Sequence, residues 1–354
     1  MKGQSSRPLR TPLFCMFLCA ALIRMPATHA QAPSTPLTTW SVTIVLPPRV
    51  VAGQPATLAV LGVDGRLASG VTVEIGDKRV TTDRTGHASF VAPASAADGY
   101  FIARASGASF AALLDPAQPA GGASALTVAP AVALHDRFAI CGAGLSGEAS
   151  GALVKIDGQL ALVLAASPEC LVVLPGPKAT PGPATISVTA PGLQSTATTA
   201  LVALEFEAPN PPLQPEQKGQ LVVRVRGAEQ ALRLIVENET PGVLRFERGE
   251  AQEVVTVGGA QNVAGIKVQA VTSGDFSFHA RLVSPPDIDA ARRYLQAAEH
   301  LAPKDLQHNI KGLANRLAHH PRDFQQAASA LDDMISTTIA GDFRTLLGAA
   351  RAAL

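Results

Sequence analysis

Aromatic side chains are scarce in this chain, and neither sign of charge dominates. Phe, Trp and Tyr make up 4% of the 354 residues, and 29 basic against 28 acidic residues leave a formal charge of +1. Such a balance creates no sequence-wide field that would attract nucleic acid or an anionic membrane. Carbohydrate grooves and base-stacking platforms both use exposed aromatic rings, which are few here, so the composition argues weakly against both. We therefore expect no nucleic-acid partner.

The first thirty residues have the composition of a secretory signal peptide. Basic residues come first, an apolar run follows at 13–23, and small residues precede Ala30. That run is too short to span a bilayer as a helix, and Arg24 lies where a membrane anchor would have to continue. We predict a signal peptide over residues 1–30, cleavage after Ala30, and no transmembrane anchor in the mature chain. The expected location is extracytoplasmic: periplasm, cell surface or secreted.

Cysteine is also rare, and only Cys141 and Cys170 follow the predicted cleavage site. Cys15 and Cys19 lie in the apolar leader without the small residues expected before a lipid-modified cysteine. In an oxidising compartment a remaining pair favours a disulfide, and closing its loop is worth roughly 3 to 4 kcal/mol. The alternatives are two buried thiols or a metal site. A metal site is disfavoured because two cysteines fall short of four ligands. We expect no metal and no cofactor.

Short apolar runs separated by turn residues predict a first β-sandwich over residues 40–115, after a flexible leader at 31–39. Segments 63–66, 70–73 and 81–88 carry the turn residues Asp64-Gly65 and Thr85-Gly86. This stretch resembles bacterial immunoglobulin-like modules of surface proteins and carboxypeptidase regulatory domains. The resemblance implies a sandwich with no chemistry of its own.

A linker at 115–125 leads to a second β-rich stretch, residues 126–192. It contains a Gly-Ala-Gly turn at 142–144, an Ile-Asp-Gly hairpin at 156–158 and a Pro-Gly-Pro-Ala run at 181–184. These features resemble the IPT/TIG immunoglobulin-like fold, which implies a spacer or an interaction module. Alternating apolar and arginine-containing runs predict a third sandwich over residues 200–283.

Strand patterns end near Pro286, and helical spacing predicts a small α-helical module over residues 286–354. It is expected either as a bundle or as a helical hairpin packed on the third sandwich. One apolar stripe is a possible partner-binding surface: Leu306, Ile310, Leu313 and Leu317. The alternative is that the stripe is buried and the module is a structural cap.

No catalytic signature is present. The stretch 144–147 does not have the glycine spacing that a nucleophile elbow requires. Asp332 and Asp333 are adjacent on a predicted helix and point in different directions, so they cannot form a paired-carboxylate site by themselves. The histidines of the helical region do not have metal-ligand spacing, so surface positions are expected: His300, His308, His319 and His320. The turn aspartates of the first sandwich have no calcium-loop spacing and favour a turn role: Asp64, Asp77, Asp83 and Asp98. Asn238 begins a glycosylation pattern that arises often by chance.

The sequence therefore predicts a mainly β protein, with tandem immunoglobulin-like β-sandwiches followed by a small C-terminal helical module. The functional hypothesis is a non-enzymatic extracytoplasmic interaction or structural protein whose partner is another envelope or extracellular protein. Two alternatives stay open. One is a ligand- or glycan-binding accessory protein, and the other is a secreted hydrolase with a site not visible in sequence.

Overall fold

A computed structural model describes residues 42–94, 99–117, 125–250, 252–258, 262–283 and 285–354. Within them, the β-strands form three sandwiches in series, each made of two packed layers, and four helices follow. This arrangement confirms the predicted fold class of tandem immunoglobulin-like sandwiches with a C-terminal helical module. The predicted signal peptide and flexible leader lie outside the described residues, as does Asp98. No described helix is long and apolar enough to cross a membrane.

The first sandwich is formed by residues 43–115. Its strands are β1 (Thr43–Val45), β2 (Arg49–Val51), β3 (Pro55–Leu61), β4 (Thr72–Ile75), β5 (Lys78–Thr81), β6 (His87–Val91), β7 (Tyr100–Ala105) and β8 (Ala108–Asp115). One layer contains β1, β3 and β6, and the other has the order β2-β8-β7-β4-β5. Fully buried Leu58, Val60, Val73 and Ala112 fill the space between them. Alternation of apolar and exposed residues in β6 turns one face of that strand toward this core.

The second sandwich begins at residue 127. Its strands are β9 (Thr127–Val128), β10 (Ala131–Ala133), β11 (Phe138–Cys141), β12 (Leu153–Ile156), β13 (Gln159–Leu160), β14 (Leu162–Ala166), β15 (Cys170–Leu174) and β16 (Gly182–Ala190). The predicted disulfide is present: Cys141 and Cys170 face each other in the β11–β15 ladder, and their Cα atoms are 4.1 Å apart. The bond ties two adjacent strands of one layer.

The third sandwich is built from β17 (Leu193–Glu207), β18 (Lys218–Arg226), β19 (Leu232–Asn238), β20 (Leu244–Phe246), β21 (Gln252–Val257), β22 (Val263–Ala270) and β23 (Phe278–Leu282). Strand β17 runs through 15 residues and pairs with β16 along its first part and with β18 along its last. It therefore belongs to both the second and the third sandwich. The division into domains at 192 and 200 stays a prediction, and a continuous strand lies across it.

The first and second sandwiches are also joined. Strand β14 pairs with β3 at Ala166 and Thr57, so one layer extends through both sandwiches. The Thr57 hydroxyl donates to the Gly147 carbonyl at 2.9 Å. A Cβ at Gly147 would overlap the Pro55 carbonyl, so only glycine permits this approach. Strand pairing and close backbone contact make the junction continuous.

The helices are α1 (Ile288–Leu301), α2 (Lys304–His319), α3 (Phe324–Thr337) and α4 (Asp342–Ala352). Asp287 caps α1 by accepting from the Ala290 amide at 2.9 Å. All four helices share one core, and this core includes Ile102 and Leu113 from the outer face of β7 and β8. The helices form a bundle on the first sandwich, 170 or more residues earlier in the chain. The alternative of a helical hairpin packed on the third sandwich is therefore wrong. The apolar outer face that the helices cover belongs to β7 and β8 of the first sandwich.

Candidate functional site

A cleft of about 1160 Å³ opens where the three sandwiches meet the start of α1. Its walls come from β2, the loop at 65–67, the stretch 127–139, strands β14 and β15, strand β23 and residues 285 and 287. We call this the central cleft. Because its lining residues are separated by more than two hundred positions in the chain, only the tertiary fold brings them together.

Positive charge predominates in the central cleft. Its described lining contains four arginines and two histidines against two carboxylates: Arg49, Arg66, Arg137, Arg281, His135, His279, Asp136 and Asp287. A concave surface with an excess of one charge sign focuses its field and raises the local concentration of oppositely charged solutes. The formal charge of the whole chain, +1, does not reveal this local excess of arginine over carboxylate in the lining.

The four arginines differ in how far other protein groups occupy them. Arg49 is paired with Asp287 at 3.0 Å, and Arg281 Nε donates to Glu237 at 3.1 Å. Arg66 is 87% exposed, and its Nε lies only 4.0 Å from Asp64. Arg137 is exposed and has no ion pair within the described ranges. Arg66 and Arg137 are therefore the cations most available to a ligand.

The remaining lining is largely apolar. Leucines of both adjoining sandwiches contribute to it: Leu61, Leu67, Leu162, Leu164 and Leu174. Phe138 is the one aromatic ring in the described lining. The cleft thus combines arginine side chains with an aliphatic surface, an arrangement that can bind a molecule having both oxyanions and C–H surface.

The first sandwich, the second sandwich and α1 meet at a group of charged side chains that we call the ionic junction: Arg49, Asp115, Glu169, Asp287 and Arg293. Arg293 donates to the Asp115 carboxylate, to the Gly99 carbonyl at 3.3 Å and to the Leu114 carbonyl at 3.0 Å. Asp115 is 13% exposed in its side chain. Arg293 therefore attaches α1 to the end of β8 through Asp115 and Leu114, and to the start of β7 through Gly99.

Glu169 is the perturbed group of the junction. Burial raises its pKa above the usual glutamate range, and the charge of Asp115 and a hydrogen bond with it raise the pKa further. Arg49 and Arg293 act in the opposite direction but do not cancel the effect. Glu169 thus retains a proton at a pH where an ordinary surface glutamate has lost it.

The leucine-rich stripe of α2 faces inward. Leu306 is half-buried, while Ile310, Leu313 and Leu317 are 0%, 7% and 0% exposed. They pack against the other helices in the core shared with β7 and β8. The interpretation of this stripe as a partner-binding surface is therefore wrong, because intramolecular packing occupies it.

The other candidate residues are dispersed. His300, His308, His319 and His320 are all exposed. Among the described residues no group of three or more His, Cys, Asp or Glu side chains is placed to hold a metal ion. Arg351 Nε donates to both carboxylate oxygens of Asp332, each at 2.9 Å.

Two turn aspartates and Asn238 have local structural roles. Asp83 accepts hydrogen bonds from Thr85 and His87, and these bonds lower its pKa. Asp64 accepts from the Arg66 amide at 3.0 Å. The side-chain amide of Asn238 donates to the Leu244 carbonyl at 2.6 Å.

Sequence reasoning missed the central cleft. The one local signal was the polar run His135-Asp136-Arg137, which lies between the apolar strands β10 and β11. That run predicts an exposed loop, but its meeting with Arg49, Arg66 and Arg281 depends on the way the sandwiches adjoin.

No family model and no curated protein matches the chain. Similar solved structures include the SGBP-B protein of the Bacteroides ovatus mixed-linkage glucan utilization locus, in complex with a mixed-linkage heptasaccharide. It is 11% identical, with 67% of this chain and 72% of that chain covered and a TM-score of 0.25. A tandem segment of titin is 11% identical, with 69% and 96% covered and a TM-score of 0.18.

The S-layer protein rSbsC is likewise 11% identical, with 64% of this chain and 36% of that chain covered and a TM-score of 0.18. All three TM-scores lie below 0.5. Nothing about the ligand or function of the present chain follows from these similarities.

Proposed function

We propose that this protein is a non-enzymatic extracytoplasmic binding protein whose central cleft takes an acidic oligosaccharide. The observation that carries the proposal is the combination of four arginines with an aliphatic lining in one cleft. The Cys141–Cys170 disulfide supports the compartment, since such bonds persist where the environment is oxidising.

The arginines favour an oxyanion as the recognised group. A guanidinium presents a planar set of donors that matches a carboxylate or phosphate, and Arg66 and Arg137 are open to solvent. A neutral glycan is less favoured because stacking platforms use aromatic rings, and the described lining offers only Phe138.

The aliphatic lining distinguishes between anions. Leu162, which is exposed, and the partly exposed Leu61, Leu67 and Leu174 offer a surface to the C–H faces of sugar rings, whereas a polyphosphate has no apolar surface to place there. Acidic sugars satisfy both parts of the cleft. The ligand-binding alternative from the sequence therefore gains support over a purely structural role.

Titration calorimetry with a galacturonic acid hexamer tests the proposal. We expect binding at low ionic strength that weakens with salt, because part of the attraction is between exposed charges. A neutral glucose hexamer and tripolyphosphate, used at the same concentrations, are expected to bind less tightly.

A double variant, Arg66→Gln with Arg137→Gln, should weaken hexamer binding by about 2- to 30-fold, since an exposed ion pair contributes about 0.2 to 1 kcal/mol. The matched control removes two exposed arginines outside the cleft, Arg84→Gln with Arg248→Gln, and should bind like the wild type. Equal losses in both double variants, or no hexamer binding by the wild type, would refute the proposal. Tighter binding of the neutral hexamer or of tripolyphosphate would refute the choice of ligand.

A further inference from the structure

The ionic junction contains more carboxyl groups than cations. Arg49 and Arg293 supply two positive charges, whereas Asp115, Glu169 and Asp287 would supply three negative charges if all were ionised. With one proton on the carboxyl groups, positive and negative charges are equal in number. Burial and the neighbouring Asp115 raise the pKa of Glu169, which agrees with a proton at this pair of carboxyl groups.

An unsatisfied acceptor at the junction also indicates a shared proton. Asp115 Oδ1 accepts from Arg293, but the buried Oδ2 has no donor among the hydrogen bonds of the described residues when every carboxyl is ionised. The Glu169 carboxyl lies within hydrogen-bond reach of Asp115. A protonated Glu169 supplies the missing donor, as one carboxylic acid bonded to one carboxylate.

We propose that anion binding in the central cleft is coupled to the proton held between Glu169 and Asp115. This inference rests on the proposed function and names how its site is regulated. Arg49 is the shared group, because it lines the cleft and also interacts electrostatically with Asp287, Asp115 and Glu169. An ionised Glu169 competes with a bound anion for the Arg49 charge, and a protonated Glu169 does not.

The sign of the coupling follows from reciprocity. A bound anion disfavours ionisation of Glu169, so binding is accompanied by proton uptake, and affinity must fall as pH rises through the titration of this group. Glu169 is not among the lining residues, so its charge affects the ligand through its electrostatic interaction with Arg49. Glu169 is a positioning residue for the ligand and makes no contact with it.

Other charged groups also face the cleft and must be separated from this effect. His135 and His279 are ionisable side chains in the lining, and Arg66, Arg137, Arg281 and Asp136 add a background field. The pH dependence of the wild type alone therefore does not identify Glu169. A Glu169→Gln variant does, because glutamine has no carboxyl to ionise and both histidines remain.

The experiment has two parts. In the first, carbon-13 NMR of labelled glutamate carboxyls follows Glu169 in the ligand-free protein, and Asp115→Asn should move its titration to lower pH. In the second, affinity for the galacturonic acid hexamer is measured across a pH series. Glu169→Gln should bind about 5-fold more tightly than wild type near about pH 8, and equally at the acid end, where Glu169 is protonated. Glu148→Gln, an exposed change in the same sandwich, should follow the wild type.

The outcomes separate the two proposals. A Glu169 titration in the usual glutamate range, or hexamer affinities of Glu169→Gln that match wild type at every pH, would overturn the coupling while leaving the binding function intact. If the hexamer binds at no pH, the proposed function fails and the coupling with it, and the NMR titration still decides whether the carboxyl pair holds a proton.

Discussion

Replacing Arg293 by Met should weaken the attachment of the helical bundle to the first sandwich. The loss in the free energy of unfolding should exceed that caused by replacing a neighbouring surface residue. Methionine keeps most of the aliphatic stem but removes the guanidinium that donates to Asp115, Gly99 and Leu114. Breaking a fully buried ion pair costs about 3 to 5 kcal/mol, and the 30% exposure of Arg293 reduces this by solvent screening. We expect a loss of about 2 to 4 kcal/mol in the free energy of unfolding.

Urea denaturation followed by far-ultraviolet circular dichroism measures that loss, and hydrogen exchange of α1 peptides locates it. Arg292→Met is the matched control on the same helix. Arg292 makes only an i,i+3 contact with Asp289 at 3.6 Å, and its buried Nε has no described partner. We expect its replacement to change stability by no more than about 0.5 kcal/mol.

A double-mutant cycle with Asp115→Asn tests whether the energy belongs to the pair. Because each single change leaves the other group without its main partner, the double variant should lose less than the sum of the two single losses. Additive losses would contradict the assignment, and so would an Arg293→Met loss equal to that of Arg292→Met.

Three further results are expected. Replacing Cys141 and Cys170 together by alanine should lower the free energy of unfolding by about 3 kcal/mol, seen as a reduced urea midpoint; an unchanged midpoint would show that the bond does not stabilise the fold. Ile310→Ala should cost about 2 to 5 kcal/mol, whereas Ile339→Ala, at a position 87% exposed, should cost little, and similar losses would contradict the burial of the α2 stripe. The folded state holds the Glu169 proton more tightly than the unfolded chain, so the stabilising contribution of this proton is present at low pH and disappears as pH rises through the native pKa. The difference in stability between wild type and Glu169→Gln should therefore change with pH. A constant difference would count against the shared proton.

Strands and helices followed from local patterns in the sequence. Apolar runs separated by turn residues predicted the β-rich stretches that contain β4 and β15, and helical spacing predicted the helical module that begins with α1. The cysteine pair was predicted from compartment and count alone. These features depend on neighbours close in sequence or on a single pairing, so a linear pattern contains the necessary information.

The contacts between sandwiches were not predictable in the same way. Pairing of β14 with β3 and the docking of four helices on β7 and β8 join residues more than a hundred positions apart. The apolar residues Ile102, Ala111 and Leu113 predict burial on that face, but their spacing does not identify which element covers it. The cleft depends on these same junctions, which is why Arg49, Arg137 and Arg281 showed no common motif.

Strand β17 has a mechanical consequence for the chain. At about 3.3 Å per residue, its 15 residues extend roughly 50 Å as one continuous strand shared by two sandwiches. The ladder to β16 ends at Leu201 and the ladder to β18 begins at Ala203, and β10 pairs with β17 across this point at residues 200–202. Bending between the two sandwiches would therefore require breaking the hydrogen bonds between β10 and β17. Tension applied along this part of the chain would therefore load paired strands in shear before it could rotate one sandwich against the other.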